Sequence, residues 1–540
     1  MKDIYRGTVC YKDFKDMINN VAQQWGSETA FKYNRDGKKY EITFSAFKKD
    51  VEALGSYLMN NGYFGKKVAL VGENSYEWIV TYFAVANSGN IILPIDKELK
   101  ANEINVLLSR SETDLLVYSK AKQKTADEII DMGDYTGKSI CFTEFDDICR
   151  EGRNLIADGF KDYIDYEIDP EALCAIIFTS GTTGDPKGVM LSQKNLIMDA
   201  YLSISCMKIP RDTVVILPIN HTFGFMASIL CQIWMGYCVF INSSLKMVVK
   251  DIQEAKPGHI SMVPLFLENI YKNIWKNAEK QGKAKALKNA VKVSNALRKV
   301  GIDMRKKLFK SVIDGLGGNL EMIISGGAPI SDEYMKGFDD FGITVINGFG
   351  ITECSPIVAL NRVDAVKYGT VGNPLPEVQV KIVDPNENGE GEIWVKGDIV
   401  MMGYYNNEEA TAEVIKDGWF NTGDMGKIID GNFIVITGRK KNLIILANGK
   451  NVYPEELEYL ISKIDNVTEV LVYEENEQIT AEIYSDAEEN REAVRESIKE
   501  SVKALNETLA SYKQIRKIKF RSAEFEKTTT KKIKRNYNKN

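Results

Sequence analysis

The stretch Phe178-Thr179-Ser180-Gly181-Thr182-Thr183-Gly184-Asp185-Pro186-Lys187-Gly188-Val189 decides how the rest of the chain is read. An apolar run, Ala175-Ile176-Ile177-Phe178, leads into it and predicts a buried strand that ends in a polar loop. Gly181, Gly184 and Gly188 allow backbone conformations closed to other residues. Thr179, Ser180, Thr182 and Thr183 supply hydroxyls, and Lys187 adds a fixed positive charge. Those are the groups that a chain of phosphates needs. The loop is not a Walker loop, because Gly188 rather than Ser or Thr follows Lys187, and Pro186 precedes it. Taken alone, such a cluster reads more often as a flexible polar turn between two strands. Its context has to decide.

Length and composition narrow that context. A chain of 540 residues holds several structural units, and 44% hydrophobic residues suffice for large cores. The net charge of −6 argues against a general nucleic-acid binder. Eight cysteines without a C-x-x-C pair, and only two histidines, indicate neither a zinc site nor a disulfide framework. Reduced, buried thiols are expected instead. With only His221 and His259 present and no G-x-S-x-G elbow, a Ser-His-Asp hydrolase is disfavoured. The segment Met1 to Arg6 lacks the apolar core of a signal peptide, so a cytoplasmic location is expected. One long apolar run, Phe223 to Ile241, is interrupted by Ser228, Gln232 and two glycines, and reads as buried core rather than a membrane span.

In chain order, Tyr40 to Phe44 opens a helix with apolar positions Phe47, Val51, Leu54 and Leu58 at helical spacing. A strand over Lys67 to Gly72, a helix over Tyr76 to Ala86 and a strand over Asn90 to Pro94 form a parallel crossover unit. The alternation recurs around Asp114 to Tyr118, which predicts a doubly wound α/β region. Val214 to Ile216 reads as a strand, Pro218 to Gly224 as a turn, and Phe225 onward as an apolar helix. Between Tyr271 and Lys310 thirteen Lys or Arg face only Glu279 and Asp303, with Ile274, Leu287, Val291, Leu297 and Leu308 as candidates for an apolar side. Two further strands, Met322 to Ser325 and Thr344 to Asn347, each run into glycine-rich turns, where doubly wound sheets bind ligands.

Six ordered motifs across essentially the whole chain resemble the adenylate-forming (AMP-binding) superfamily, and within it the bacterial long-chain fatty acyl-CoA synthetases. The resemblance implies a large doubly wound N-terminal domain, residues 1–440, followed by a small mobile α+β lid, residues 441–540. Thr179 to Gly184 and Lys187 would then cradle ATP. Gly327 and Ala328 border the adenine together with Gly348, Phe349 and Gly350. Thr352 touches the α-phosphate, Glu353 holds Mg2+ and His221 lines the acyl pocket. Asp424 in Gly418-Trp-Phe-Asn-Thr-Gly-Asp424 binds the ribose, Arg439 reaches ribose or phosphate, and Lys441 is the hinge. Near the end, Glu526 to Arg535 matches a terminal Pro-Lys-Thr-x-x-Gly-Lys-Ile-x-Arg motif, whose register makes Lys532 catalytic. Glu526 stands for its Pro and Lys531 for its Gly, so Lys531 remains the alternative. Phe349 stands where the family often has Tyr.

The implied activity joins a medium- or long-chain carboxylic acid to coenzyme A through an acyl-adenylate, at the expense of ATP. Two alternatives stay open: an enzyme that loads an acyl group on a carrier protein, and a nucleotide-binding regulator without catalysis. The basic segment 271–310 resembles a helical insertion of the long-chain enzymes and suggests peripheral contact with an anionic membrane.

Overall fold

The computed structural model describes residues 9–179, 186–242, 244–446, 451–487, 491–527 and 533–535. By packing, the chain divides into two units, Met1–Gln379 with Val395–Phe420, and Val380–Trp394 with Asn421–Asn540.

The first unit is built on the crossover pattern expected above. A seven-stranded sheet runs Gly403–Tyr404, Lys187–Ser192, Leu173–Thr179, Ile91–Ile95, Lys67–Val71, Leu115–Tyr118, Lys138–Cys141. Its five strands from Leu173–Thr179 to Lys138–Cys141 are parallel, and the other two pair antiparallel at one edge. Parallel strands joined by helices are covered on both faces, which is why their sequences are nearly unbroken apolar runs. The helix Tyr76–Ala86 is buried along its whole length and is capped by Ser75, whose Oγ accepts from Trp78 N at 3.2 Å. Phe47, Val51, Leu54 and Leu58 all point inward from the helix Phe44–Asn60.

A second sheet of this unit places His259–Met262, Met322–Ser325 and Thr344–Gly350 parallel, with Ile357–Leu360 and Asn373–Pro374 antiparallel at its edge. Ser325 lies opposite Asn347, so the two glycine-rich turns leave the sheet at the same carboxyl edge. A four-stranded sheet, in the order Lys38–Thr43, Thr29–Arg35, Val239–Ile241, Thr213–Val215, completes the unit.

Three sequence expectations are corrected here. The helix expected from Phe225 starts at Thr222, within the predicted turn, and passes through a π-helical turn at Met226–Leu230 before Cys231–Trp234. Gly224 permits the early start, since a Cβ there would sit 2.1 Å from the Pro218 carbonyl oxygen. Of the candidate apolar side in the basic segment, Ile274, Leu287, Val291 and Leu297 are half-buried, but Leu308 is exposed. The helices Pro264–Lys280 and Ala284–Arg298 belong to this segment, and polar ties hold its C-terminal part to the helix Asp332–Phe341. Arg298 and Arg305 both pair with Asp339 at 2.8 Å, and Asn295 Nδ2 donates to Asp340 at 2.8 Å. Among the cysteines six are buried, but Cys238 is half-buried and Cys10 exposed. Among the described residues no helix is long and apolar enough to cross a membrane.

In the second unit the antiparallel pair Glu469–Glu475 and Gln478–Tyr484 takes Lys517–Phe520 as a parallel third strand. The helices Pro454–Ile461 and Arg491–Thr508 supply Leu457, Ile461, Ile498 and Val502 to a core shared with Val470, Val472, Ile479 and Ile483. Helices packed on a mixed sheet make this the α+β architecture expected of the C-terminal part.

His259 makes the fold sensitive to acid. It is fully buried in its strand, Nδ1–H donates to the Pro210 carbonyl at 2.7 Å, and burial pushes its pKa down from 6.5 to about 4. The unfolded chain therefore takes up a proton that the folded one resists. The stability held by the neutral ring is whole above pH 6.5 and is lost as pH falls toward 4. The expected loss is about 3 kcal/mol. Thermal melts between pH 7 and about 4 should show a flatter acid limb for His259→Gln than for the parent; parallel limbs would reject the assignment.

Candidate active site

The strands Leu173–Thr179 and Lys187–Ser192 that flank the phosphate-loop motif pair antiparallel next to the edge strand of the seven-stranded sheet. Thr179 and Lys187 face each other across the antiparallel pair, and Thr179 Oγ1 donates to the Lys187 carbonyl at 3.4 Å. Ser180, Gly181, Thr182, Thr183 and Gly184, expected to hold ATP, lie outside the described residues. A Cβ at Gly188 would fall 2.9 Å from Ile176 Cγ2, so the return strand approaches as closely as only glycine allows.

Lys187 projects over the ring of Tyr404, with Nζ 4.8 Å from its centroid. The Tyr404 hydroxyl donates to Glu353 Oε1 at 3.0 Å, and the Glu353 carbonyl accepts from Met401 N at 2.9 Å. Next to Glu353, the hydroxyls of Thr352 and Thr222 lie 3.3 Å apart. The fold thus brings the Lys187, Glu353, Thr352 and His221 motifs together from positions far apart in the chain. His221 ends the turn before the helix Thr222–Phe225, and its Nε2 lies 3.4 Å from Asp96 Oδ2.

The two glycine-rich turns border the same region. A Cβ at Gly326 would touch the Phe223 ring at 3.2 Å, which ties this turn to the His221 segment. Gly327 adopts φ +82°, a left-handed conformation, and leads to Ala328. Gly348, Phe349 and Gly350 close the strand Thr344–Gly350, pairing with Ile357–Leu360. A Cβ at Gly350 would stand 2.2 Å from the Pro356 carbonyl oxygen.

Asp424, Arg439 and Lys441 belong to the second unit. Asp424 and Arg439 are opposite each other on paired strands, and Arg439 Nε meets Asp424 Oδ1 at 2.7 Å. The Asp424 side chain is 6% exposed and that of Arg439 40%. Asp424 N donates to Thr422 Oγ1 at 3.0 Å, which fixes the turn. Lys441 stands in the short turn Lys440–Asn442. Burial, with Arg439 and Arg535 nearby, lowers its pKa. Lys532 and its alternative Lys531 lie outside the described residues, but their flanks are anchored. Lys527 bridges to Ile533, and Lys534 N donates to the Glu526 carbonyl at 2.7 Å. Arg535 pairs with Glu458 and, at 3.7 Å, with Glu455. Burial raises Glu458 to about 7 against the opposing pull of Arg535.

Motif reading did not single out Tyr404 or Asp96. Asp96 directly follows the parallel strand Ile91–Ile95, at the carboxyl end where such sheets bind ligands. That position was the available signal. Among the described residues no group of three His, Cys, Asp or Glu could hold a metal alone. Glu353 with the Thr352 hydroxyl offers hard oxygen donors, which fits a magnesium ion that takes its other ligands from substrate phosphates and water.

Comparison with known proteins shows the family of the chain. The sequence profile of the AMP-binding enzyme family matches residues 18–405, and that of the AMP-binding enzyme C-terminal domain matches residues 441–539. The long-chain-fatty-acid–CoA ligase FadD15 of Mycobacterium bovis is 30% identical over 457 residues, covering 78% of this chain and 73% of the relative. The long-chain-fatty-acid–CoA ligase 5 of Rattus norvegicus is 28% identical over 484 residues, covering 82% of this chain and 71% of the relative. The crystal structure of the anthranilate CoA ligase AuaEII with anthranoyl-AMP superposes with a TM-score of 0.78 at 20% identity, covering 98% of this chain and 96% of that one.

Proposed function

The chain belongs to the AMP-binding enzyme family, and from that premise we propose that it is an AMP-forming acid–thiol ligase that activates a medium- or long-chain fatty acid with ATP and passes the acyl group to coenzyme A. The observation that carries this reading is the meeting of Lys187, Tyr404, Glu353, Thr352 and Thr222 at one end of the strands in the first unit.

In the first half-reaction a carboxylate oxygen of the acid attacks the α-phosphorus of ATP and pyrophosphate leaves with the bonding pair. Negative charge crowds onto one centre. Lys187 and Lys532 stabilise it electrostatically, and Thr352 donates its hydroxyl to the α-phosphate. Glu353 would hold a magnesium ion, which would supply positive charge against the phosphates. The backbone of Gly327, Ala328 and Gly348 to Gly350 borders the adenine, with the Phe349 ring against it, and Asp424 and Arg439 take the ribose. In the second half-reaction the thiol of coenzyme A attacks the acyl carbon and AMP departs. His221 lines the approach, and Lys441 is the hinge about which residues 441–540 turn between the steps. A carrier-protein thiol in place of coenzyme A is the runner-up, separated by assaying acyl transfer to each.

The acid is read as apolar because Asn220 to Phe225 contains no carboxylate to pair an ammonium, whose unpaired burial would be costly. Phe225, Met226, Ile229 and Leu230 are all buried, with Phe225 packed 4.1 Å from the Tyr82 ring. Peripheral membrane contact is proposed through 271–310, where Val293, Val300 and Ile302 stand exposed among the lysines.

Three outcomes are expected. Lys532→Ala should slow adenylate formation by roughly 10² to 10³ while supplied acyl-adenylate is still converted to thioester. If Lys531→Ala gives that pattern instead, the register is off by one. Across a panel of saturated acids, affinity should rise until the pocket fills, by about 0.8 kcal/mol per methylene; robust AMP formation with any free α-amino acid would refute the substrate class. In flotation at moderate salt the protein should rise with anionic liposomes and stay down with neutral ones; absence from the anionic fraction would remove the membrane contact.

A further inference from the structure

We propose that Tyr404 is a positioning residue that couples the lysine of the phosphate loop to the carboxylate of the metal site, its ring holding Lys187 and its hydroxyl holding Glu353. The inference rests on the reading of Lys187 as a phosphate contact and of Glu353 as the magnesium ligand.

Strand register brings the three together. Gly403–Tyr404 pairs antiparallel with Lys187–Ser192, with Tyr404 opposite Val189 and Gly403 opposite Met190. Lys187 is two residues from Val189, hence on the same face of the strand and diagonal to Tyr404, a separation that an aromatic ring and a long side chain span. The ammonium accordingly sits 4.8 Å from the ring centroid, over the negative face of the π-system. The hydroxyl at the far end of the same ring reaches Glu353 Oε1 at 3.0 Å and occupies one of the two carboxylate oxygens. A rigid side chain with two χ angles therefore spans the two charged groups.

The backbone around Tyr404 is held on both sides. Tyr405 N donates to the Gly188 carbonyl at 2.7 Å, Met402 N to that of Met190 at 3.0 Å, and Met401 N to that of Glu353 at 2.9 Å. Tyr404 N itself donates to Thr411 Oγ1 at 2.9 Å, and the Tyr404 side chain is buried. Gly403, at φ +143°, leaves no room for a side chain, because a Cβ would lie 2.9 Å from Thr411 Cγ2. So tethered, the ring has one place to go, and both partners are oriented before substrate arrives. Preorganisation of this kind lowers the cost of ordering them on binding. A ring face restrains the lysine without neutralising it, so its charge remains for the phosphates. The hydroxyl fixes the carboxylate without supplying a competing positive charge.

The two halves of the role separate by substitution. Tyr404→Phe keeps the ring and removes the hydroxyl, whereas Tyr404→Leu removes both. Binding of ATP is measured by calorimetry without acid substrate, first without metal and then across a magnesium titration. In Tyr404→Phe the metal-free affinity should stay within about twofold of the parent, while half-saturating magnesium rises about tenfold, the effect of losing a hydrogen bond to a charged group. In Tyr404→Leu the metal-free affinity should also weaken, by about threefold or more, as the cation–π contact is lost. Unchanged magnesium dependence in Tyr404→Phe, with altered dependence in Glu353→Gln, would overturn the proposal alone. Unchanged dependence in Glu353→Gln would overturn the reading of Glu353 as metal ligand, and the proposal with it. Equal loss of metal-free ATP binding in both Tyr404 variants, or a lowered melting temperature in Tyr404→Phe, would mark a merely structural tyrosine.

Discussion

Everything at the cleft of the first unit depends on one backbone constraint: the strand Leu173–Thr179 must be met by its own continuation, running back antiparallel at the edge of a parallel sheet. That return sets Lys187 opposite Thr179, at the carboxyl ends of the parallel strands. It is tight enough that Gly188 has no space for a side chain beside Ile176. Because the returning strand is an edge, its outer hydrogen-bonding groups need a partner, and Gly403–Tyr404 provides it. The pairing that satisfies the edge also delivers a ring to Lys187 and a hydroxyl to Glu353. Local backbone satisfaction and the assembly of the site are the same event.

Lys187 and the paired charges of the second unit are held in different ways. Among the described residues of the first unit, Lys187 rests against a ring face, and its ammonium keeps its full charge for an incoming anion. In the second unit charges are matched in pairs, Asp424 with Arg439 and Arg535 with Glu458, in places where an unpaired charge would be expensive. Burial still raises Glu458 despite its arginine, so desolvation is the larger effect there. Lys441 is exposed in its short turn, with the like charges of Arg439 and Arg535 nearby.

Most of the fold was legible because its signals are local. Apolar runs bounded by glycine and polar residues located the strands Lys67–Val71, Ile91–Ile95 and Leu173–Thr179, and helical spacing located the inward face of Phe44–Asn60. Two local readings differed from the structure. The helix after Pro218 starts early because Gly224 can lie against the Pro218 carbonyl, and Leu308 stays exposed although it is apolar.

The sequence by itself determined the order of the motifs, their residue types and the alternation of strand and helix, because each follows from neighbours a few positions apart. The tertiary structure alone decided which of those residues meet. That Tyr404 reaches across to Lys187 and Glu353, and that Asp96 faces His221, depends on how segments well separated in the chain are ordered and registered. No local pattern encodes such a meeting, since a shift of one residue in register would turn Tyr404 to the other face of its strand.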